Sequence, residues 1–384
     1  MTMFRYLFFA LALFIASYTI SLDPATKPTV LTAAVAAPAA KAKNIILMIG
    51  DGMGLAQITA AMQARKRPLQ LEKFEVIGLV KTPSAVESIT DSAASATAIA
   101  TGIKTYNGAI GVDEHGIRRK TILERLGKQG YATGLIATST ITHATPASFY
   151  AHEKSRDDYY QIAADMKKAP VDLFIGGGRS HFVDRNDRTF GRTDRRNIIE
   201  EMTDKGFTFV EKLNDIKNVK GPVGYFIGDQ HPPSVLRGRG DLLPKSIPVS
   251  ISHLQSRSEL GFFLVVEGAQ IDWAGHANDE KYMIAELYDF DAAVGQALDF
   301  AINDDNTLLI VTADHETGGL TLGAKPVKEG RIPKYDDHVL TFSTLGHTSI
   351  MVPMFAYGPG AEYFSGTYDN TEIHTKMLRA LGQK

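Results

Sequence analysis

Cysteine is absent from the 384 residues, so disulfides, thiolate metal ligands and a cysteine nucleophile are excluded. Any metal must be held by carboxylates, imidazoles and hydroxyls. A strong charge of one sign is missing as well. The 41 basic and 43 acidic residues leave a formal net charge of −2, which gives no reason to expect nucleic acid or an anionic membrane as partner. Beyond the N-terminal region there is no internal repeat, low-complexity tract or long charge run. What is present is 44% apolar and 22% charged residues, enough to bury a large core, and no linker that would separate two domains.

The first 42 residues read as a leader rather than as part of the fold. Arg5 precedes an apolar run from Tyr6 to about Ile20, and a small-residue stretch, Ala33 to Ala42, follows. That is the layout of an export signal, with A-x-A sites at Ala34-Val35-Ala36 and Ala37-Pro38-Ala39. The expectation is an exported protein, periplasmic or secreted; the alternative is an uncleaved membrane anchor, for which the run is short.

From Asn44 onwards strands and helices alternate. Asn44–Ile49 is a continuous apolar run of the kind found in the middle of a parallel sheet. Further strands are expected at Val76–Thr82, Ala132–Ser139, Val171–Ile175, Gly261–Glu267, Thr307–Ala313 and Ile350–Tyr357. Helices are expected after Gly54 and at Thr121–Gln129, Asp157–Lys167, Asp279–Ile302 and Asn370–Leu381. The pattern predicts an α/β fold, a three-layer sandwich around a mostly parallel central sheet. The polar span 179–248 resists assignment and reads as solvated surface or as an inserted surface region.

The stretch Thr90–Gly102 predicts a buried helix with Ser92 at its start, Asp91 as cap and Gly102 as stop. A hydroxyl there meets the unpaired N–H groups and the positive end of the helix dipole, which suits an oxygen that becomes an alkoxide and carries a phosphoryl group. Several strands end in metal-ligating residues: Asp51 after the first, Glu267, then Asp314-His315. Asp272 and His276 are spaced to share a helix face, and His347 lies in a glycine-flanked loop. Strand ends meet at one edge of a parallel sheet, where α/β folds place their ligands. Carboxylates with histidines suit zinc, and carboxylates with a hydroxyl suit magnesium. Singly, each piece is also explained as a cap or a surface pair; together, beside a helix-start serine, they are not.

With those residues the chain resembles the alkaline phosphatases, from about Asn44 to Leu381. The resemblance rests on DGMG at Asp51–Gly54, TDSAASATAIATGIKTYNGAIGV at Thr90–Val112 and HATPASFYAHEKSR at His143–Arg156. It continues through VEGAQIDWAGH at Val266–His276, TADHETGG at Thr312–Gly319 and GHTS at Gly346–Ser349. It implies a phosphate monoester hydrolase of broad specificity, usually a homodimer, working on two zinc ions and one magnesium and releasing inorganic phosphate. Under that resemblance Ser92 is the nucleophile that becomes phosphoserine and Arg156 grips the phosphate. Asp51, Asp314 and His315 match the ligands of one zinc, and Asp272, His276 and His347 those of the other. Asp51, Thr145 and Glu267 match the magnesium ligands.

Two neighbouring positions that vary within the family hold His143 and Trp273 here, the pair seen in some bacterial members including cold-active marine types. Trp273 brings no positive charge to the phosphate, and His143 opens the third site to zinc. The remaining histidines, His115, His152, His181, His231, His253, His338 and His374, match no motif and read as surface or structural. Among other readings, a sulfatase lacks its modifiable Cys or Ser motif, and a diesterase has no need of Arg156 on two free phosphate oxygens. A non-catalytic metal- or phosphate-binding protein would not need Ser92.

Overall fold

The strands in chain order are β1 (Asn44–Gly50), β2 (Val76–Lys81), β3 (Ala132–Thr140), β4 (Leu173–Gly177), β5 (Thr208–Val210), β6 (Val223–Phe226), β7 (Phe262–Gly268), β8 (Thr307–Thr312), β9 (Glu316–Thr317), β10 (Leu320–Ala324), β11 (His338–Phe342), β12 (His347–Thr348), β13 (Val352–Tyr357) and β14 (Gly366–Asp369). Ten of them form one sheet in the order β14-β2-β13-β8-β1-β7-β3-β4-β6-β5. All neighbours are parallel except β13, which runs antiparallel to both β2 and β8. This is the computed structural model of the chain, and it describes residues 41–65, 67–184, 191–325 and 338–383.

The four central strands β1, β3, β7 and β8 are buried at every position. That is why β1, β7 and β8 are largely apolar runs without alternation, and why β3 pairs its apolar residues with small hydroxyl ones: a parallel strand covered on both faces has no solvent side to make polar. Helices flank the sheet in two groups. Leu55–Ala64 and Leu242–Arg257 pack against the long helix Glu280–Asp304, and Ser92–Thr101 packs against Ala144–Ala147 and Thr371–Ala380. The expected sandwich is therefore observed, with its one reversed strand near an edge.

The span 179–248 contributes β5 and β6, which extend the sheet beyond β4, and the start of helix Leu242–Arg257. Sequence periodicity does not show this because β5 is three residues long and only partly buried.

The described residues fall within one compact unit. The expected leader lies outside them except for its last two residues, where Ala42 is buried and its N–H donates to Ala380 O. Among the described residues no helix is long and apolar enough to cross a membrane.

Candidate active site

Parallel register brings the site together. Ile49 lies opposite both Glu267 of β7 and Thr312 of β8, so Asp51, Glu267 and the Asp314-His315 pair all emerge at the same edge. The short helix Gln270–His276 follows β7 at once and carries Asp272, Trp273 and His276. β12 pairs antiparallel with β9, His347 opposite Thr317, which returns His347 over His315 with their rings stacked 3.6 Å apart.

Ser92 is the first residue of the buried helix Ser92–Thr101. Asp91 Oδ1 accepts the Ala94 N–H at 2.9 Å, a cap that stabilises a helix by about 1 kcal/mol. Gly102 closes the helix in the left-handed region at φ 74°. Ser95 Oγ donates to Asp314 O at 2.7 Å, tying the helix to the end of β8. The Ser92 hydroxyl is thereby held 3.2 Å from His315 Nε2.

Two groups surround that hydroxyl. In the first, His315 Nε2 lies 3.5 Å from Asp51 Oδ1 and 3.3 Å from Asp314 Oδ2. In the second, His276 Nε2 lies 3.4 Å from Asp272 Oδ2, His347 Nε2 lies 3.5 Å from Asp272 Oδ1, and the two Nε2 atoms are 3.1 Å apart. The other nitrogen of each histidine is already engaged. His276 Nδ1 bonds to Leu345 O, His347 Nδ1 to Thr90 O at 2.8 Å, and His315 Nδ1 to Thr317 Oγ1 at 3.2 Å. The carbonyls of Leu345 and Thr90 only accept. Thr317 Oγ1 gives its proton to Asp272 Oδ1, so all three Nδ1 atoms carry the hydrogen. The three Nε2 atoms then face carboxylates and one another, an arrangement that asks for a cation and is the usual outer-sphere pattern of metal-bound histidine.

A third group lies on the other side of Asp51. Asp51, His143 and Glu267 offer ligand atoms within 4.8 Å of one another. Glu267 Oε2 accepts from Ser139 Oγ at 2.7 Å, while its Oε1 has no partner. Both oxygens of Asp51, Asp314 Oδ2, Thr145 Oγ1 and His143 Nδ1 are likewise buried without a hydrogen bond. Orphaned buried polar atoms are rare and destabilising. Six of them in one place are explained by ions. The electrostatics agree. Burial, then Asp314 and Asp272, push Asp51 well above the usual carboxylate range, and burial pushes Asp314 up to about 7. Asp272 draws His276 up to about 9. Four acidic groups packed together this way require positive charge among them.

Arg156 Nη1 donates to Asp91 Oδ2 at 2.9 Å and Nη2 lies 3.3 Å from His143 Nε2. Asp91 thus joins the guanidinium to the cap that starts the serine helix. Trp273 stands edge-on to His143, ring centroids 6.0 Å apart. Asp51, Ser92, His143, Arg156, Glu267, Asp272, Trp273, His276, Asp314, His315 and His347 are therefore together at this one edge of the sheet.

Three contributors were not anticipated. Thr317 links His315 to Asp272; its place two residues after His315, on the same side of an extended segment, is the one signal that could have found it. Glu316 takes Gln57 Nε2 at 2.6 Å and the N–H groups of Gly319 and Leu320, bracing β9 behind the site. His231 stands edge-on to both His143 and Trp273, 5.8 and 4.7 Å between centroids. Nothing in its local sequence marks it, and it comes from the span that periodicity could not assign.

Comparison with known proteins points the same way. A family model for alkaline phosphatase matches residues 42–339. Alkaline phosphatase 3 of Bacillus subtilis is 35% identical over 88% of this chain and 89% of its own length. The Escherichia coli K12 alkaline phosphatase is 33% identical over 89% and 87%. The structure of the alkaline phosphatase from the Antarctic bacterium TAB5 superposes with a TM-score of 0.84 at 42% identity, covering 90% of this chain and 99% of that one. A histidine-to-aspartate mutant of that enzyme, with Mg bound in its M3 site, matches at 41% identity with the same TM-score. The chain belongs to the alkaline phosphatase family and is a phosphatase.

Proposed function

We propose that the protein hydrolyses phosphate monoesters of broad variety through a phosphoserine on Ser92. We assign Asp51, Asp314 and His315 to one zinc, Asp272, His276 and His347 to a second, and Asp51, Thr145 and Glu267 to a magnesium. The observation that carries this reading is the set of three histidine Nε2 atoms facing carboxylates around the Ser92 hydroxyl, with both oxygens of Asp51 and Asp314 Oδ2 left partnerless. Thr145 and Glu267 are hard oxygen donors, as magnesium prefers. His143 Nδ1, 3.8 Å from Glu267 Oε1, gives that site a nitrogen that zinc also accepts.

Bound metal supplies Lewis acidity: it lowers the pKa of a hydroxyl and of water and neutralises charge on entering and leaving oxygens. The chain does the rest. Arg156, locked by Asp91, holds two non-bridging phosphate oxygens in a fork that a lysine cannot match. The Ser92 oxygen, at the positive end of its helix, attacks phosphorus as the bond to the ester oxygen breaks, and the alcohol leaves with a proton. Water then attacks the phosphoserine from the side the alcohol vacated, and inorganic phosphate departs. Dividing the displacement in two lets one site, with one set of fixed charges, stabilise both transfers.

Family membership and the leader layout support an exported enzyme, periplasmic or secreted, with residues 43–384 as one catalytic domain working as a homodimer. The test is hydrolysis of a chromogenic monoester beside the matching diester, with zinc and magnesium, after chelation, and in Ser92→Ala. Monoester turnover abolished by chelation, and lowered on the order of 10⁴-fold or more by the substitution, is expected. Diester preference, or full activity in Ser92→Ala, overturns the reading.

A further inference from the structure

Beside the residues assigned to the phosphate opens a cleft of about 490 Å³ whose lining includes Trp273 and His231, a volume typical of small-molecule sites. We infer that this cleft receives the leaving group of the substrate and is shaped for a nucleoside, so that nucleoside 5′-monophosphates are preferred over ring-free esters. The inference rests on the monoesterase reading above and names a substrate class for the same site.

Continuity is the first argument. His143 contacts the rings of both Trp273 and His231, and its Nε2 lies 3.3 Å from Arg156 Nη2. The cleft therefore begins one imidazole away from the guanidinium assigned to the phosphate. Chemistry is the second. His231 Nδ1 accepts the Thr140 N–H at 3.1 Å, so the ring is neutral and its hydrogen sits on Nε2. At the mouth Arg237 has no hydrogen-bond or ion-pair partner for its guanidinium among the described residues, and Asp279 adds a carboxylate. An aromatic wall flanked by donors and an acceptor matches the flat face and mixed polar edge of a nucleobase.

The floor is already satisfied, so it does not compete for the ligand. Tyr282 Oη donates to Gln270 Oε1 at 2.6 Å, and Gln270 Nε2 donates to the carbonyls of Thr138 and Pro232 at 2.9 and 3.0 Å. Leu236, which is 60% exposed, adds apolar surface beside the polar groups.

Trp273 is the sole tryptophan of the chain, so its fluorescence reports on the cleft without any turnover. In the full metal-loaded enzyme, adenosine is expected to quench that fluorescence saturably, whereas glycerol does not. Kinetics supply the second arm, with adenosine 5′-monophosphate, phenyl phosphate and glycerol 3-phosphate as substrates for wild type, Arg237→Ala and Leu236→Glu. Both side chains are exposed, so the variants are expected to fold. A rise in KM of about three- to tenfold for the nucleotide, with kcat and the other two substrates within about twofold, supports the assignment. Absence of quenching, or a loss shared equally by phenyl or glycerol phosphate, overturns it. Failure to hydrolyse any monoester would instead refute the monoesterase reading, and the adenosine titration would still decide the cleft.

Discussion

Gly52 and Asp272 touch backbone to backbone: a Cβ on Gly52 would lie 2.8 Å from Asp272 Cα. The same N–H of Gly52 donates to Asp314 Oδ1 at 3.2 Å, and its φ is +71°. The glycine of the Asp-Gly pair therefore allows the β1 turn to press against the helix that carries Asp272.

Gly52→Ala is expected to separate these two segments. The left-handed backbone costs about 1–2 kcal/mol for a residue with a Cβ, and the clash is with main chain, which has no rotamer to relax into. Zinc content after dialysis should fall while circular dichroism stays that of the folded protein. Full zinc content with wild-type kcat would show that the contact is not required.

Thr317→Val keeps the shape and removes the hydroxyl between His315 Nδ1 and Asp272 Oδ1. Loss of such an outer partner typically lowers metal affinity about 10- to 100-fold. Competition with a chromogenic zinc chelator measures this, and Thr317→Ser should restore most of it. Equal affinity in the valine variant would refute the role.

Metal removal should destabilise the fold and not only silence it. Stripping the ions leaves Asp51, Asp314, Asp272 and Glu267 to repel one another, consistent with the upward push on Asp51 and Asp314. Calorimetry should show Tm falling on chelation. Asp51→Asn, which removes one of those charges, should narrow the gap between chelated and metal-loaded protein. An unchanged gap would argue against carboxylate repulsion as the cause.

A pH effect is expected away from the site. His152 is buried beside Glu124, Nε2 to carboxylate 3.0 Å, with Nδ1 donating to Gly111 O at 2.7 Å. Burial opposes the charged ring, but the Glu124 and Gly111 bonds outweigh it and raise its pKa, with Arg118 opposing. A raised folded pKa means that the contribution to stability is full below the ordinary histidine value and is lost as pH rises through the folded one. The Tm difference between wild type and His152→Asn should therefore be largest near pH 6 and shrink toward pH 9. A difference that grows with pH would reverse the assignment.

Trp273→Lys puts a cation beside His143 and, across it, Arg156, which we assign to the phosphate. Inhibition by inorganic phosphate should strengthen, by up to about tenfold for a partly exposed charge. An unchanged inhibition constant would place the tryptophan too far from the phosphate to matter.

The residues legible in advance were those whose chemistry is conspicuous where a buried strand stops. Asp51, Glu267 and Asp314-His315 follow apolar runs, and parallel strands have only one edge at which such ends can meet. Thr317 and Glu316 were less visible because their roles are bonds to other side chains rather than to a ligand, and threonine or glutamate in a loop has many uses. His231 was invisible for a different reason. It reaches the site from the poorly periodic span around β5 and β6, and only the folded path of β3, through Thr140, holds its ring in place. The reversed direction of β13 was also unmarked, since a fully buried antiparallel strand between two neighbours carries the same apolar run as a parallel one.

Strand β1 sits in the middle of the sheet, yet both of its partners arrive late: Ile45 pairs with Phe263 and Leu308. A chain emerging from N- to C-terminus holds its central strand unpaired for more than two hundred residues. Such long-range closure slows folding. It also means that Glu267, Asp314 and His315, which close around Asp51, are made only in the last third of the chain. Its central strand and its metal site therefore close together, late, when the last third of the chain is in place.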